Sequence, residues 1–333
     1  MAFSIFLNLL LFIFSAAILW IISGLLIEAV DKVAARLHRS GFTVAFFVLG
    51  FLTSVSEISV MISSTLGHVP QVSVGNLIGG SFVVLLFIVP VLAIVGNGVR
   101  LKDTLSKPQL MAALFVILLP ALFTLNGTIH AREGWICLLA YAALLYFIRK
   151  GKWWWQKKSD SAPEVFEEVG EELVSKRHAT EIDVFKIIGG AIIIFFASSL
   201  LVHETVYFSG LLHVPSSLIG LLVISIGTNM PELVIAVRSV QKAKISIAFG
   251  DYFGSAVTNS LIFGFLAIFN GPFPVERASF FFPAGLMTIG FVLFYFFANT
   301  KNDISRKEGV VLVSVYAIFV LSQIGTFIWF AAR

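Results

Sequence analysis

Residues 53–57 read Thr53-Ser54-Val55-Ser56-Glu57, and residues 228–232 read Thr228-Asn229-Met230-Pro231-Glu232. Both stretches lie inside long apolar runs and align at an offset of 175 residues. The same offset, without a gap, pairs Gly75-Asn76-Leu77-Ile78-Gly79 with Gly250-Asp251-Tyr252-Phe253-Gly254. Seven of the 45 positions from 53 to 97 are identical: Thr53, Glu57, Ser64, Gly75, Gly79, Leu86 and Gly96. That total is low for a repeat. The pattern carries more weight, because the intramembrane glutamates superpose together with the threonines four residues before them. A carboxylate at the centre of a bilayer costs at least ~2.5–3.5 kcal/mol, so it implies a function or a partner.

Working outward, the chain of 333 residues is 58% hydrophobic and only 13% charged. Soluble domains carry about 25% charged residues. A bilayer accounts for the excess apolar surface; a water-soluble core of this length does not. Ten segments approach the roughly 20 apolar residues that a spanning helix needs. They are 3–27, 42–66, 72–97, 109–127, 132–148, 184–204, 215–240, 245–270, 278–298 and 308–331. The expected fold is an all-α polytopic membrane protein, since a backbone in lipid must satisfy its own hydrogen bonds. The first segment lacks a basic leader and a small-residue cleavage site, so it reads as a retained helix.

Basic residues set the orientation. Of the 23 Lys and Arg, 20 fall in the links after segments one, three, five, seven and nine. Only Arg132, Arg277 and Arg333 fall on the other side. Both termini are therefore expected outside, and the polar 150–182 stretch is expected to be a cytoplasmic loop, without an EF-hand pattern. The Trp153-Trp154-Trp155 run suits the membrane interface. The organisation becomes a first five-helix repeat over 1–149, the loop, and a second repeat over 183–333. Five is odd, so the second repeat enters from the opposite side. This is the inverted plan of secondary transporters, with the site near the midplane.

Thr53 and Glu57 share a helix face at i, i+4, as do Thr228 and Glu232. Pro231 removes a backbone donor, so the seventh segment is expected to kink or break there. Broken helices free carbonyls to coordinate a cation. Ca2+ takes six to eight oxygens in a flexible cage. Two glutamates, two threonine hydroxyls and freed carbonyls supply such a set, and two carboxylates neutralise one divalent ion. Gly75, Gly79, Gly250 and Gly254 read as small residues for close helix packing. Asp251 reads equally as a helix-end carboxylate or a rim residue of the site.

Thr-Ser-x-x-Glu and Gly-Thr-x-x-Pro-Glu, each followed by Gly-Asn/Asp-x-x-Gly, resemble the two alpha repeats of the calcium/cation antiporter superfamily, which includes the sodium/calcium exchangers. The motifs cover about 53–97 and 228–272, and the five-plus-five plan extends the likeness over the chain. The resemblance implies an antiporter exchanging Ca2+ for Na+ or H+ by alternating access. It implies Glu57 and Glu232 as central ligands, with oxygens from Thr53 and Thr228. Ser54, Asn229, Ser255 and Asn259 would line the same cavity. The chain departs from the family pattern at three places. Gly80 stands where serine is usual, Val84 where asparagine or aspartate is usual, and Ser56 replaces the proline of the first repeat. Two side-chain oxygens are missing from one side, so fewer Na+ per Ca2+, or H+ instead, is expected.

Other classes fit less well. No nucleophile is paired with a base deep in a segment, which argues against an intramembrane hydrolase. Buried paired carboxylates in inverted repeats favour alternating access over an open channel. A five-plus-five transporter for another cation or small solute is the remaining alternative. There is no phosphate loop for ATP and no Cys/His zinc spacing. The single Cys137 excludes a disulfide framework. No enzyme activity, cofactor, nucleic acid or obligate protein partner is expected. Partners are the transported ions and the bilayer, and the expected location is a bacterial cytoplasmic (inner) membrane.

Overall fold

The computed structural model describes residues 5–18, 21–22, 46, 50–96, 98–100, 105–156, 181–229, 232–233, 245–300 and 303–331. Its elements in chain order are α1 (Ile5–Ile18), α2 in two pieces (Gly50–Thr53 and Val55–Leu66), α3 (Pro70–Val95), α4 (Lys107–Thr124) and α5 (Ala131–Gln156). Then follow α6 (Glu181–Leu212), α7 (Ser216–Thr228), α8 (Ile245–Asn270), α9 (Arg277–Thr300) and α10 (Arg306–Ala331). Among the described residues, seven helices are long and apolar enough to cross a membrane: α3, α4, α5, α6, α8, α9 and α10. The shorter apolar helices α1, α2 and α7 lie within the expected segments 3–27, 42–66 and 215–240. Pro231 and most of the expected 150–182 loop lie outside the described residues.

Helix starts follow local chemistry. Pro70 opens α3, where its missing N–H is not needed. Ser106 and Gln109 form a capping box on α4. On α10, Ser305 N donates to Glu308 Oε2 at 2.8 Å while Glu308 N donates back to Ser305 Oγ at 3.4 Å. Glu133, in the first turn of α5, accepts from His130 N at 2.8 Å and from Arg132 Nε at 3.1 Å. The helix α6 continues to Leu212, eight residues past the expected end at 204.

Two helices form the inside of the bundle. The most apolar windows of α3 and α8 are each 78% buried, against 28% for α5 and α10. The outer helices present large apolar side chains such as Leu139, Phe281, Val292 and Leu321. This is the inside-out pattern of a chain surrounded by lipid rather than water. Glycine lets the inner backbones touch. A Cβ on Gly75 would fall 2.8 Å from Leu221 N in α7, and one on Gly79 would fall 2.7 Å from Ser225 Cβ. Between α2 and α8, a Cβ on Gly50 would lie 2.6 Å from the Gly254 Cα. Two further close approaches are Gly134 of α5 against Gly264 of α8 and Gly309 of α10 against the Pro90 carbonyl of α3. Small-residue contact replaces the hydrophobic drive that lipid cannot supply.

Two short antiparallel ladders tie the links together. Val99–Arg100 (β1) pairs with Asp303–Ile304 (β4), and Thr128–Ile129 (β2) pairs with Phe273–Pro274 (β3). Each ladder joins the first half of the chain to the second.

Candidate cation site

The site forms where α2 and α7 lose their helical pattern. Ser54 interrupts α2 with φ −78° and ψ 9°, and Asn229 ends α7 with φ −94° and ψ 12°. Both lie near the sparsely populated bridge region, where many functional residues sit. Pro231 was the expected cause of a break in one segment. The interruption at Ser54 has no such signal, and the two breaks fall at positions 175 apart. Glu57 is consequently in the first turn of Val55–Leu66 rather than in mid-helix. The positive end of that helix piece favours a carboxylate there.

Glu57 and Glu232 are both fully buried, as are Ser255 and Asp251. Ser56 Oγ donates to Glu57 Oε2 at 2.8 Å, and Asn229 Nδ2 donates to Glu57 Oε1 at 3.4 Å. Ser255 Oγ donates to Glu232 Oε1 at 3.2 Å, and Tyr252 OH donates to the Glu232 carbonyl at 3.2 Å. Each carboxylate is thus held by a hydroxyl.

The two threonines face the other half of the chain. Thr53 Oγ1 donates to Asp251 Oδ1 at 3.4 Å, and Thr228 Oγ1 donates to Asn76 Oδ1 at 3.1 Å. Thr53 and Thr228 are 175 apart, and so are Asn76 and Asp251. The same correspondence recurs beneath them. Ser54 Oγ donates to Gly50 O at 2.8 Å, and Asn229 Nδ2 donates to Ser225 O at 2.8 Å. Ile58 N bonds Ser54 O, and Leu233 N bonds Asn229 O.

Of the expected lining residues, Asn229 and Ser255 contact the carboxylates, while Ser54 turns back onto its own helix. Asn259 is 1% exposed and donates from Nδ2 to Leu77 O at 3.5 Å. Asp251 lies six residues inside α8 and is fully buried, so the helix-end reading gives way to a place beside Thr53. Three participants were missed. Ser56, read only as a lost proline, holds Glu57 and lies 3.4 Å from the Thr228 carbonyl. Asn76 receives Thr228, a role its alignment with Asp251 could have signalled. Tyr252 had no signal beyond its place in the glycine motif.

Glu232 Oε2, Asn229 Oδ1 and Asn259 Oδ1 are buried without a hydrogen-bond partner. Orphaned acceptors of this kind cost about 1–3 kcal/mol each, more when charged. A cation satisfies several at once, and hard oxygens of mixed charge are what Ca2+ and Na+ require. Among the described residues no group of three His, Cys, Asp or Glu side chains could hold a metal by itself. A bound cation would therefore draw on hydroxyl, amide and carbonyl oxygens as well.

Comparison with known proteins places the chain. Over 140 residues the chain is 34% identical to the sodium/calcium exchanger MaX1 of Methanosarcina acetivorans, covering 42% of this chain and 40% of that protein. It is 23% identical over 294 residues to the uncharacterized membrane protein MJ0091 of Methanocaldococcus jannaschii, covering 88% and 90% of the two chains. Its fold is similar to a solved structure of the sodium-calcium exchanger NCX_Mj soaked with 2.5 mM Na+ and 10 mM Sr2+. That match has a TM-score of 0.63 at 19% identity and covers 95% of this chain and 99% of that one. The sodium/calcium exchanger family model matches residues 7–150 and 183–325, which include both motifs and both breaks. By that match the chain belongs to the sodium/calcium exchanger protein family.

Proposed function

We propose that this protein is a secondary active antiporter that exchanges Ca2+ for a monovalent cation by alternating access, with Glu57 and Glu232 as the central ligands. The observation that carries the reading is the pair of fully buried glutamates. Each follows an interrupted helix, and each is held by a hydroxyl. One divalent ion would neutralise both charges, which lipid surroundings otherwise penalise. Ser56, Thr53, Thr228, Asn229, Ser255 and Asn259 would contribute or position further oxygens.

The matched contacts at an offset of 175 support two inverted five-helix repeats with ten spans. The links support the orientation. In the ten-span alternation, β1 and β4 occupy the links after spans three and nine, both on the basic side. Thr65, Gln71, β2 and β3 belong to ends that face the opposite side. Asn270 Nδ2 donates to Thr65 Oγ1 at 2.9 Å, and Gln71 Nε2 donates to Pro274 O at 3.0 Å. No described ladder joins links from opposite sides. Positive-inside topology then puts both termini outside a cytoplasmic membrane. The losses at Gly80 and Val84 favour fewer Na+ per Ca2+ than a fully equipped exchanger, or H+ as counter-ion, since protons need no oxygen cage.

The test is 45Ca2+ flux in proteoliposomes with Glu57→Gln and Glu232→Gln. A neutral amide keeps the shape and removes the compensating charge, so each variant is expected to lose exchange while folding normally. Near wild-type flux with unchanged Ca2+ affinity in either variant would overturn the paired-carboxylate mechanism.

A further inference from the structure

Gly80 follows the first glycine motif in α3 and corresponds, at the offset of 175, to Ser255. Its surroundings are unusual for a helix position. A Cβ there would fall 2.9 Å from Asn229 Nδ2 and 3.1 Å from Asn259 Nδ2. Both amides come from the second half of the chain and converge on a point of α3 that lacks a side chain. The neighbouring contacts agree. Asn259 Nδ2 lies 3.5 Å from Leu77 O, one turn before Gly80, and Asn229 Nδ2 lies 3.4 Å from Glu57 Oε1. Both amides also keep a buried Oδ1 that no hydrogen bond satisfies. Asn259 corresponds in turn to Val84, which is fully buried and apolar. At these two pairs, the first half offers no side-chain oxygen and the second half offers both.

We propose that Gly80 is a specificity-determining positioning residue. The space left by its missing side chain seats the Nδ2 ends of the Asn229 and Asn259 amides, and that seat holds the two side chains so that their unsatisfied Oδ1 atoms serve the ion in place of first-half oxygens. This rests on the antiport reading above. Gly80 itself contributes no atom to the ion. It acts by seating the two Nδ2 ends, which fixes where the neutral Oδ1 atoms of the same amides lie, so the cage is asymmetric. A carbonyl oxygen is a good hard ligand for Ca2+, and a neutral one leaves the charge balance to Glu57 and Glu232. Any side chain at position 80 drives the amide ends back. A serine does so while adding an oxygen, and an alanine does so while adding none.

The experiment uses the full chain in proteoliposomes and compares Gly80→Ala, Gly80→Ser, Asn259→Ala and the Gly80→Ala/Asn259→Ala double variant. Initial 45Ca2+ uptake is measured over a range of Ca2+ at fixed internal Na+. Gly80→Ala and Asn259→Ala are each expected to raise the half-saturating Ca2+ about tenfold or more, the usual scale for disturbed ligand support. For Gly80→Ala, which removes no ligand atom, the maximal rate at saturating Ca2+ should stay within about twofold of wild type, because the carboxylates remain. The double variant should be no worse than the worse single one, since both remove the same oxygen placement. Gly80→Ser should recover affinity relative to Gly80→Ala. The inference is overturned by wild-type half-saturation in folded Gly80→Ala, by additive effects in the double variant, or by equal loss in the Ser and Ala variants. Glu57→Gln is run alongside. If it transports at near wild-type rate with unchanged Ca2+ affinity, the paired-carboxylate reading on which this rests falls; if it is dead while Gly80→Ala is normal, only the role of Gly80 falls.

Discussion

Gly50→Ala is the perturbation whose consequence follows most directly from the packing. Gly50 is buried where the first piece of α2 lies against α8. The added Cβ would sit 2.6 Å from both Gly254 Cα and Ser255 N, against the 3.4–4 Å of ordinary contact. Both neighbours are backbone, so no rotamer change relieves the clash. The two helices must separate locally by about 0.8 Å. Overpacking of this kind costs about 1–3 kcal/mol, and the rigid neighbours put Gly50→Ala at the upper end. The displacement also reaches the site from both sides. Gly50 O accepts the hydroxyls of Thr53 and Ser54, and Ser255 holds Glu232. Ligand distances tolerate only about 0.2 Å, so half-saturating Ca2+ should rise about tenfold or more. Gly285→Ala in α9 is the control, because a Cβ there meets nothing within 4 Å. It should be neutral or slightly stabilising, as alanine favours helix by about 1 kcal/mol. The assay is thermal unfolding of detergent-purified protein followed by Ca2+ flux. Equal melting temperatures and equal Ca2+ dependence for the two variants would refute the backbone-contact argument.

Three other outcomes are expected. With Cys137 replaced by alanine, single cysteines at position 2 and at Ser161 should be labelled from opposite faces of the membrane; labelling from one face would sink the ten-span orientation. Thr228→Val should be milder than either glutamate variant. It removes the hydroxyl that donates to Asn76 Oδ1 and Ser225 O and accepts from Asn229 Nδ2; depriving Asn76 Oδ1 of its donor costs about 1–3 kcal/mol, and complete loss of flux with intact folding would show that the hydroxyl itself is indispensable. Ca2+ uptake against internal Na+ at fixed pH should have a Hill coefficient below three, or uptake should respond to a pH gradient without Na+. A coefficient near three with no response to pH would refute the reduced-coupling reading.

The sequence by itself determined the features that depend on local composition. Apolar runs as long as a bilayer is thick located the helices, because hydropathy is a property of consecutive residues. Their ends were less legible: α6 runs on to Leu212 because hydrogen-bonded helix continues wherever nothing breaks it. The superposition of Thr53 and Glu57 on Thr228 and Glu232 singled out the residues of the candidate site, because a glutamate in such a run stands out by its cost. Only the tertiary structure decided how these residues meet. The partners of Thr53 and Thr228 lie 198 and 152 residues away in the chain, and nothing local encodes such a pairing. The interruption at Ser54 has neither glycine nor proline to announce it; it follows from packing against α8 and from bonds that Ser54 and Thr53 make to Gly50 O. Ser56 looked like a loss until its hydroxyl was placed on Glu57. Gly80 looked like a missing oxygen, and the fold reveals the space it leaves and the two amides that enter it. The sequence specifies which side chains are present, but whether a small residue is a gap or a socket depends on what the opposing helix brings to it.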